Sequence, residues 1–305
     1  MSHPPTQTEI RALLASSGLR PDRRLGQHFL VDGNLMRLLV AEADLGPDDT
    51  VLEVGAGVGN LTELLVEQAG WVVAVEIDPR LTAVARERLA AATNLDLLRT
   101  DALKDKHTLS PVMAERVRSR LARLGGPLKL VANLPYAAAT PLVAELLLAG
   151  PVPERLVFTV QEEVAARFAA GPGTRDYGPL SVIAQALGEV EILRRLAPTV
   201  FWPRPRVWSA MVCLVPSDDR RGRVEDLAVF RRVIDGLFAH RRKRAARSLS
   251  LAWPEAGSAT DWAGRLCAAG LAPEARGEEY SVDEIARFGN NMAASTRPGR
   301  SKNRC

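Results

Sequence analysis

The chain has 305 residues, 47% of them hydrophobic, and a formal net charge of +4 at pH 7. This length exceeds the size at which single hydrophobic cores usually stop growing, so we expect one large and one small domain. Three widely spaced cysteines without a metal-ligand pattern argue against a disulfide framework and a metal site, and they favour a reducing cytoplasm. Neither a secretory leader pattern nor an apolar run of membrane-spanning length is seen, so export and membrane insertion are not predicted.

The first predicted elements lead into a glycine-rich loop. Residues 6–17 predict a short amphipathic helix within an N-terminal extension of residues 1–23, and Asp32 or Asn34 can cap a second helix. An apolar strand over residues 50–55 then enters the loop Gly55-Ala-Gly57-Val-Gly59, and residues 61–68 predict the helix that follows. This strand–loop–helix order is the context in which a glycine loop approaches a ligand closely.

Acidic residues follow the next two predicted strands. The strand over residues 71–76 ends in Glu76, 21 residues after Gly55, which is the spacing at which an acid holds a ribose diol. Asn60 stands where a dinucleotide loop has its last small residue, and Glu53 precedes the loop; both favour S-adenosylmethionine over NAD. Asp101 follows the strand over residues 95–99, where it can accept the adenine amine of that cofactor.

The tetrapeptide Asn133-Leu134-Pro135-Tyr136 closes a further apolar strand, residues 128–132. An exocyclic base amine is a poor nucleophile because its lone pair is delocalised into the ring. Acceptance of its two N–H groups by the Asn133 side-chain oxygen and the Leu134 carbonyl would orient that lone pair. Pro135 keeps a competing N–H out of the turn, and Tyr136 can stack on the base.

Taken alone, the tetrapeptide is more typical of a plain strand-ending turn, because Asn and Pro are common turn residues. The ordered set Gly55, Glu76, Asp101 and Asn133 at successive strand ends changes that balance, because ligands of open α/β sheets bind at the carboxyl ends of strands. The set predicts a methyltransferase acting on a nucleobase nitrogen.

Strands and helices alternate up to about residue 188, which indicates a parallel sheet with helices on both faces. Residues 104–107 are expected in a solvent loop, residues 171–178 in a flexible loop, and residues 190–196 and 209–215 in a closing strand pair. Helical periodicity dominates from residue 224 onward, so we place the domain boundary near Pro216, a helical domain over residues 217–290 and a disordered basic tail over residues 291–305.

Positive charge is concentrated between residues 194 and 247, which contain fourteen Lys or Arg and five Asp or Glu. The net charge of this segment is +9, so the rest of the chain has a net charge of −5. This block predicts a phosphate-binding face, although charge runs are more often solvated helix surfaces. Phe201 precedes a proline-rich turn and is expected to be exposed and to stack a base. The predicted RNA contacts are Phe201, Arg204, Arg206, Arg241, Arg242, Lys243 and Arg244.

Several segments together resemble a known family. They are Arg24-Leu-Gly-Gln-His-Phe-Leu30, the Gly55 loop, Glu76, Asp101, Asn133–Tyr136, Tyr177-Gly-Pro-Leu-Ser181 and Phe201-Trp-Pro-Arg-Pro-Arg-Val207. The chain from about residue 24 to 290 is similar to the bacterial small-subunit ribosomal RNA adenine N6,N6-dimethyltransferases.

The resemblance implies an α/β fold, the Rossmann-like class I S-adenosylmethionine-dependent methyltransferase fold, with a small C-terminal helical domain that includes a basic helix. It implies dimethylation of two adjacent adenines near the 3′ end of small-subunit ribosomal RNA, late in ribosome biogenesis, by a cytoplasmic monomer acting on the immature small subunit. The implied donor site comprises His28, Leu30, Gly55, Gly57, Glu76, Asp101 and Asn133, and the target adenine is held by Asn133–Tyr136 and Phe201.

Three departures from the family pattern are seen. Ala137-Ala138-Ala139 replace the usual Asn-Ile-Ser, which removes polar groups beside the site; His28 stands where Asn is usual, and Trp208 where Asp is usual. Two alternatives stay open at this stage. One is a large-subunit ribosomal RNA adenine methyltransferase of the antibiotic-resistance type, and the other is a non-catalytic RNA-binding assembly factor, which only the alanine run favours.

Overall fold

The computed structural model describes residues 6–16, 18, 21 and 27–296, in eleven strands and thirteen α-helices. The strands are β1 Phe29–Leu30, β2 Thr50–Val54, β3 Trp71–Glu76, β4 Leu95–Arg99, β5 Leu103–Asp105, β6 Thr108–Leu109, β7 Leu128–Asn133, β8 Arg155–Gln161, β9 Gly188–Leu196, β10 Phe201–Trp202 and β11 Ser209–Pro216. The helices are α1 Gln7–Ser16, α2 Gly33–Glu42, α3 Asn60–Val66, α4 Pro79–Arg88, α5 Pro111–Leu124, α6 Tyr136–Leu148, α7 Glu162–Ala169, α8 Pro179–Leu187, α9 Asp218–Gly222, α10 Leu227–Ala239, α11 Ala245–Ala252, α12 Ala259–Ala268 and α13 Val282–Thr296.

The central sheet has seven strands in the order β4-β3-β2-β7-β8-β11-β9. Strands β4, β3, β2, β7 and β8 are parallel, and β11 runs antiparallel to β8. Because β2, β7 and β8 lie inside the sheet, their side chains are almost all buried, which explains their continuous apolar runs. The predicted α/β class and the closing pair of strands are confirmed, and the carboxyl ends of β2, β3 and β7 meet at one edge.

The chain divides into two compact units. The first takes in residues up to Ala165 together with Val190–Pro216, and the second takes in Ala166–Glu189 with the residues from Ser217 onward. The break near Pro216 coincides with the predicted boundary. Residues 166–189 nevertheless group with the C-terminal helices, because α8 packs against α10 and α13. The predicted division at residues 1–216 and 217–290 therefore differs from the observed one at residues 166–189, which belong to the second unit.

The second unit has its own aromatic core. Trp262 is fully buried, and its ring lies 5.4 Å from that of Trp253 and 6.3 Å from that of Phe288. The Tyr177 hydroxyl donates to the Tyr280 carbonyl at 3.0 Å, which fastens the end of the loop over residues 171–178. Burial of that hydroxyl among apolar groups raises the pKa of Tyr177 far above its usual value.

Three local predictions are wrong. Residues 104–107 are exposed, but they lie in a short hairpin formed by β5 and β6 instead of a simple loop. The basic run Arg241–Arg244 is the turn between α10 and α11 and not a helix. The tail predicted as disordered from residue 291 is helical to residue 296, since α13 continues that far, with Met292 and Ala293 buried. The remainder of that predicted tail, residues 297–305, lies outside the described residues, as do residues 1–5 and most of residues 17–26, including Arg24.

No helix among residues 6–16 and 27–296 is long and apolar enough to cross a membrane. Across the same described residues, no group of three or more His, Cys, Asp or Glu side chains is arranged to hold a metal ion.

Candidate active site

A cavity of about 210 Å³ lies at the carboxyl edge of the parallel strands. Six of the seven predicted donor-site residues contribute to its wall, and so does the whole tetrapeptide. These residues are His28, Gly55, Gly57, Glu76, Asp101 and Asn133 with Leu134, Pro135 and Tyr136. Residues separated by more than a hundred positions in the chain are thereby brought together, as the strand-end argument predicted.

The glycine loop needs its glycines for two physical reasons. Gly55 and Gly57 have φ angles of 85° and 60°, a left-handed conformation that side chains disfavour. A Cβ on Gly55 would lie 3.1 Å from the Pro135 ring, and one on Gly57 would lie 3.1 Å from the Phe29 ring. The loop therefore packs directly against the tetrapeptide on one side and β1 on the other.

Glu76 holds the loop from the end of β3. Its Oε2 accepts the Gly57 N–H at 2.8 Å, and its Oε1 accepts the Asp78 N–H at 2.8 Å. The side chain is buried, and burial raises the pKa of Glu76 while these two backbone hydrogen bonds oppose the rise. Each carboxylate oxygen has a second lone pair, so Glu76 can also accept hydroxyl groups of a ligand.

Asp101 lies just beyond β4 and is exposed. Its Oδ1 accepts the Leu103 N–H at 2.9 Å, which fixes the carboxylate against the start of the β5–β6 hairpin. Its place in the cavity wall leaves the second oxygen available as an acceptor for an amine.

The Asn133 amide is held in one orientation. Its Nδ2 donates to the His28 carbonyl at 2.8 Å, and its Oδ1 accepts the Thr159 hydroxyl at 2.6 Å. Thr159 stands opposite Asn133 in the β7–β8 register and is buried. Because the His28 carbonyl can only accept, a flip of the amide would lose that hydrogen bond and bring two oxygens together. In the observed orientation one lone pair of Oδ1 still faces no described partner.

Sequence reasoning missed Thr159. A signal was present, since Thr159 is the polar interruption of the otherwise apolar Leu156–Val160 stretch of β8. Without the register between β7 and β8, however, nothing linked that hydroxyl to Asn133.

Tyr136 and His28 form the aromatic part of the site. Their rings stack with centroids 5.5 Å apart, and the Tyr136 hydroxyl lies 3.1 Å from the Ser209 Oγ. Burial raises the pKa of Tyr136, so the phenol stays neutral in the physiological range. The His28 Nδ1 lies 2.6 Å from the Pro203 carbonyl, which makes Nδ1 the protonated nitrogen and ties this residue to the loop after β10.

Two predicted site residues do not reach the cavity. The Leu30 side chain is buried in the hydrophobic core with Leu35 and Met36. Phe201, expected to be exposed, is only 1% exposed and belongs to the same core, because β10 pairs with β1 and turns this ring inward. A buried ring cannot stack a base, so that assignment of Phe201 is wrong.

The predicted RNA-contacting cations lie outside the cavity. Arg204 and Arg206 are exposed on the loop after β10, and Arg242, Lys243 and Arg244 are exposed in the turn before α11. Arg241 differs from its neighbours, because its guanidinium pairs with Glu278 and donates to the Arg175 carbonyl at 2.5 Å.

Glu53 lies fully buried at the foot of the site, on β2. Its Oε2 accepts the Thr62 hydroxyl at 2.6 Å, and Thr62 is itself buried in α3. Burial raises the pKa of Glu53 to about 8, partly opposed by that hydrogen bond and increased by the nearby Glu76. Glu53 therefore links β2 to the helix that follows the glycine loop and does not face the cavity.

Comparison with known proteins decides the family. The family described as ribosomal RNA adenine dimethylase matches residues 19–263. The chain belongs to the ribosomal RNA adenine dimethylase family. A relative from Streptomyces coelicolor, named ribosomal RNA small subunit methyltransferase A, is 40% identical over 286 residues, which cover 92% of this chain and 94% of the relative.

Solved structures agree on the fold of this dimethylase. A dimethyladenosine transferase from Plasmodium falciparum superposes with a TM-score of 0.67 at 20% identity, covering 84% of this chain and 94% of that one. The 23S rRNA methyltransferase ErmE superposes with a TM-score of 0.56 at 25% identity, covering 87% of this chain and 99% of that one. The Rossmann-like class I methyltransferase fold is thereby confirmed.

Proposed function

We propose that this dimethylase transfers methyl groups from S-adenosylmethionine to the N6 amines of two adjacent adenines near the 3′ end of small-subunit ribosomal RNA, late in ribosome biogenesis. Membership of the family supports adenine dimethylation, and the name of the 40% identical relative supports the small subunit as the substrate. The observation that carries the chemistry is the fixed Asn133 amide beside the Leu134 carbonyl at the cavity wall.

The cavity fits the proposed methyl donor. His28, Gly55, Gly57, Glu76, Asp101 and Asn133 form the proposed donor site. Backbone without Cβ atoms at the loop permits close approach, Glu76 offers acceptors for a ribose diol, and Asp101 offers one for an adenine amine. When bound, S-adenosylmethionine supplies an electrophilic methyl group.

The tetrapeptide is proposed to place the target amine. The second lone pair of Asn133 Oδ1 accepts one N–H, and the Leu134 carbonyl accepts the other. No described residue donates to that carbonyl, and the Leu134 N–H is used by the Thr159 carbonyl at 3.2 Å. When both N–H groups of the amine are held by fixed acceptors, its nitrogen lone pair remains free to face the methyl donor. Such positioning can supply roughly 7–11 kcal/mol of a barrier without a strong base.

With Phe201 buried, Tyr136 is the aromatic group in the wall of the site that is proposed to stack the adenine. Its ring is half-buried and is backed by the His28 ring, while the hydrogen bond to Ser209 fixes its tilt. Ala137 and Ala138 also face the cavity at the start of α6. Their small side chains leave the base to be held by the tetrapeptide alone.

Nucleoside mass spectrometry tests this function. Purified protein and S-adenosylmethionine are incubated with undermethylated small subunits or with large-subunit RNA, and the digests are compared. We expect dimethyladenosine in the small-subunit digest only. Product in the large-subunit digest alone would contradict the proposed substrate, and no product in either would contradict the activity. In that case Asn-Ile-Ser is introduced at residues 137–139. Dimethyladenosine formed by this variant would show an enzyme weakened by the alanine run, and no product would show a protein without this activity.

Two groups of exposed cations, one in each compact unit, are proposed to bind phosphates of the substrate. Many cations of the basic block are already neutralised: Arg220 pairs with Glu189, Arg223 with Asp219 and Arg232 with Glu255. Arg242, Lys243 and Arg244 are exposed and have no acidic partner among the described residues. Unpaired cations release the most counterions from RNA, so we assign phosphate binding to these three and to Arg204 and Arg206.

Replacing Arg242, Lys243 and Arg244 by Gln is expected to flatten the salt dependence of RNA binding. Each phosphate contact contributes about 0.7–0.9 to the slope of log K against log salt, so the slope should fall by about 2–3. Binding is measured at four salt concentrations. The matched control replaces the three ion-paired residues Arg220, Arg223 and Arg232, which removes the same charge and should change the slope less. Equal slopes for the wild type and the first variant would contradict this assignment.

The proposal places the enzyme in the cytoplasm as a monomer that acts on the immature small subunit. The second compact unit, with Arg242, Lys243 and Arg244, is proposed as an RNA-binding part, and Arg204 and Arg206 are proposed RNA contacts of the first unit.

A further inference from the structure

An exposed tryptophan immediately precedes Ser209, the residue that contacts the Tyr136 hydroxyl. Trp208, immediately before β11, is 40% exposed, and the Arg195 guanidinium lies 4.0 Å from the centre of its ring. Arg195 is held in place by Glu162, with Nε to Oε1 at 2.6 Å and NH2 to Oε2 at 3.0 Å. The stacked pair of Trp208 and Arg195, here called the Trp208 platform, is therefore a fixed and solvent-facing surface.

The position of the Trp208 platform is set by the sheet. The Trp208 carbonyl accepts the Glu162 N–H at 3.0 Å, just after the carboxyl end of β8. The next residue, Ser209, pairs with Gln161 and hydrogen-bonds to Tyr136. One residue therefore separates the Trp208 platform from the group proposed to stack the target adenine.

The surroundings of the platform are cationic and concave. A groove of about 540 Å³ lies beside it, lined by Trp208, Arg194 and Arg195 together with the start of α2. Arg194 is exposed, as are Arg204 and Arg206 on the segment that leads to Trp208, and none of the three has an acidic partner among the described residues. The acidic Asp32 in the groove is occupied, because its Oδ1 accepts the N–H groups of Asn34 and Leu35 as the cap of α2.

We propose that the Trp208 platform stacks an unpaired nucleotide next to the target adenine of the ribosomal RNA. This inference rests on the proposed function for the identity of the RNA. Every base has a π-face, and base–aromatic stacking tolerates any sequence, while the unpaired arginines attract the flanking phosphates. A polyanionic partner fits better than a protein, because the exposed Arg194, Arg204 and Arg206 have no acidic partner among the described residues and are available to phosphates.

The test compares Trp208→Ala and Trp208→Phe with the wild type. We expect Trp208→Ala to raise the KM for small subunits by roughly 5- to 150-fold, the range that corresponds to one lost base stack. The KM for S-adenosylmethionine and kcat at saturating RNA should change little. Trp208→Phe keeps an aromatic face and should recover most of the affinity. Ultraviolet cross-linking followed by peptide mapping should place a nucleotide on Trp208.

Trp71 provides the matched control. An arginine also stacks on Trp71, since the Arg120 guanidinium lies 3.7 Å from the centre of the Trp71 ring. Trp71 is at the amino-terminal end of β3, however, and the cavity is at the carboxyl end. Trp71→Ala should leave the KM for RNA unchanged, and melting temperatures of all variants identify any loss of folding.

Binding of a single-stranded fragment of the target RNA is measured in parallel, since it needs no catalysis. Reduced binding by Trp208→Ala, restored in Trp208→Phe, supports the platform even if the wild type does not methylate, an outcome that would contradict only the proposed function. Equal RNA binding by wild type and Trp208→Ala, or binding that Phe does not restore, would overturn the platform. Capture of a protein partner that depends on Trp208, with RNA binding unchanged, would overturn it as well.

Discussion

Replacing Asn133 by Ala is expected to lower kcat by at least about 100-fold, the cost of misplacing a reacting group by about 1 Å. The side chain is proposed to supply one of the two acceptors that orient the amine, and its amide also joins β7 to the His28 carbonyl. Single-turnover methylation at saturating donor and RNA measures the chemical step without substrate binding. A variant with wild-type kcat would remove Asn133 from the mechanism.

Thr159 provides a sharper test of the same geometry. Thr159→Val keeps the shape but removes the hydroxyl that orients Asn133, and the loss of one hydrogen bond of about 1 kcal/mol corresponds to roughly a fivefold lower kcat. Donor affinity should change less than kcat, because Thr159 does not line the cavity and Asn133 keeps its hydrogen bond to the His28 carbonyl. Thr159→Ser retains a hydroxyl and should recover activity. If Val and Ser variants behave alike, the hydroxyl does not position the amide.

Replacing Glu76 by Ala is expected to weaken S-adenosylmethionine binding by about 10- to 150-fold. Hydrogen bonds to charged groups contribute about 1.5–3 kcal/mol each, and the loss of one proposed ribose contact accounts for this range. Isothermal titration calorimetry measures the effect directly. Glu76→Gln keeps the side-chain volume and one acceptor, so its loss of S-adenosylmethionine affinity should be smaller. Comparison of the two variants separates the loss of a ligand contact from collapse of the Gly57 loop.

Tyr136→Ala is the contrasting variant. The ring is assigned to the target base and not to the donor, so donor affinity should stay within about twofold of wild type while turnover falls with the loss of a stacking contact of roughly 1–3 kcal/mol. Equal donor affinity for wild type and Glu76→Ala would contradict the donor site, whichever way Tyr136→Ala behaves.

Much of the site was predictable because it depends on local order along the chain. A polar residue after an apolar strand lies at a sheet edge, and parallel strands place their carboxyl ends at the same edge. Glu76, Asp101 and Asn133 could therefore be assigned together from strand ends alone. The same reasoning failed for Phe201, since the prolines after it indicated a turn but did not show that β10 pairs with β1 and directs the ring into the core.

The basic run illustrates the same limit. Its charge was evident from composition, but the division between a paired Arg241 and the unpaired Arg242–Arg244 depends on where Glu278 and the carbonyl of Arg175 lie in space.

By itself the sequence determined the α/β class, the succession of strand-end residues and the family, because apolar periodicity and short motifs are local properties of the chain. Only the tertiary structure decided how those residues are oriented. The Thr159 contact that fixes Asn133, the burial of Phe201 and the Trp208 platform each depend on which strands are neighbours and in what register, and a shift of one residue would reverse the face of every side chain.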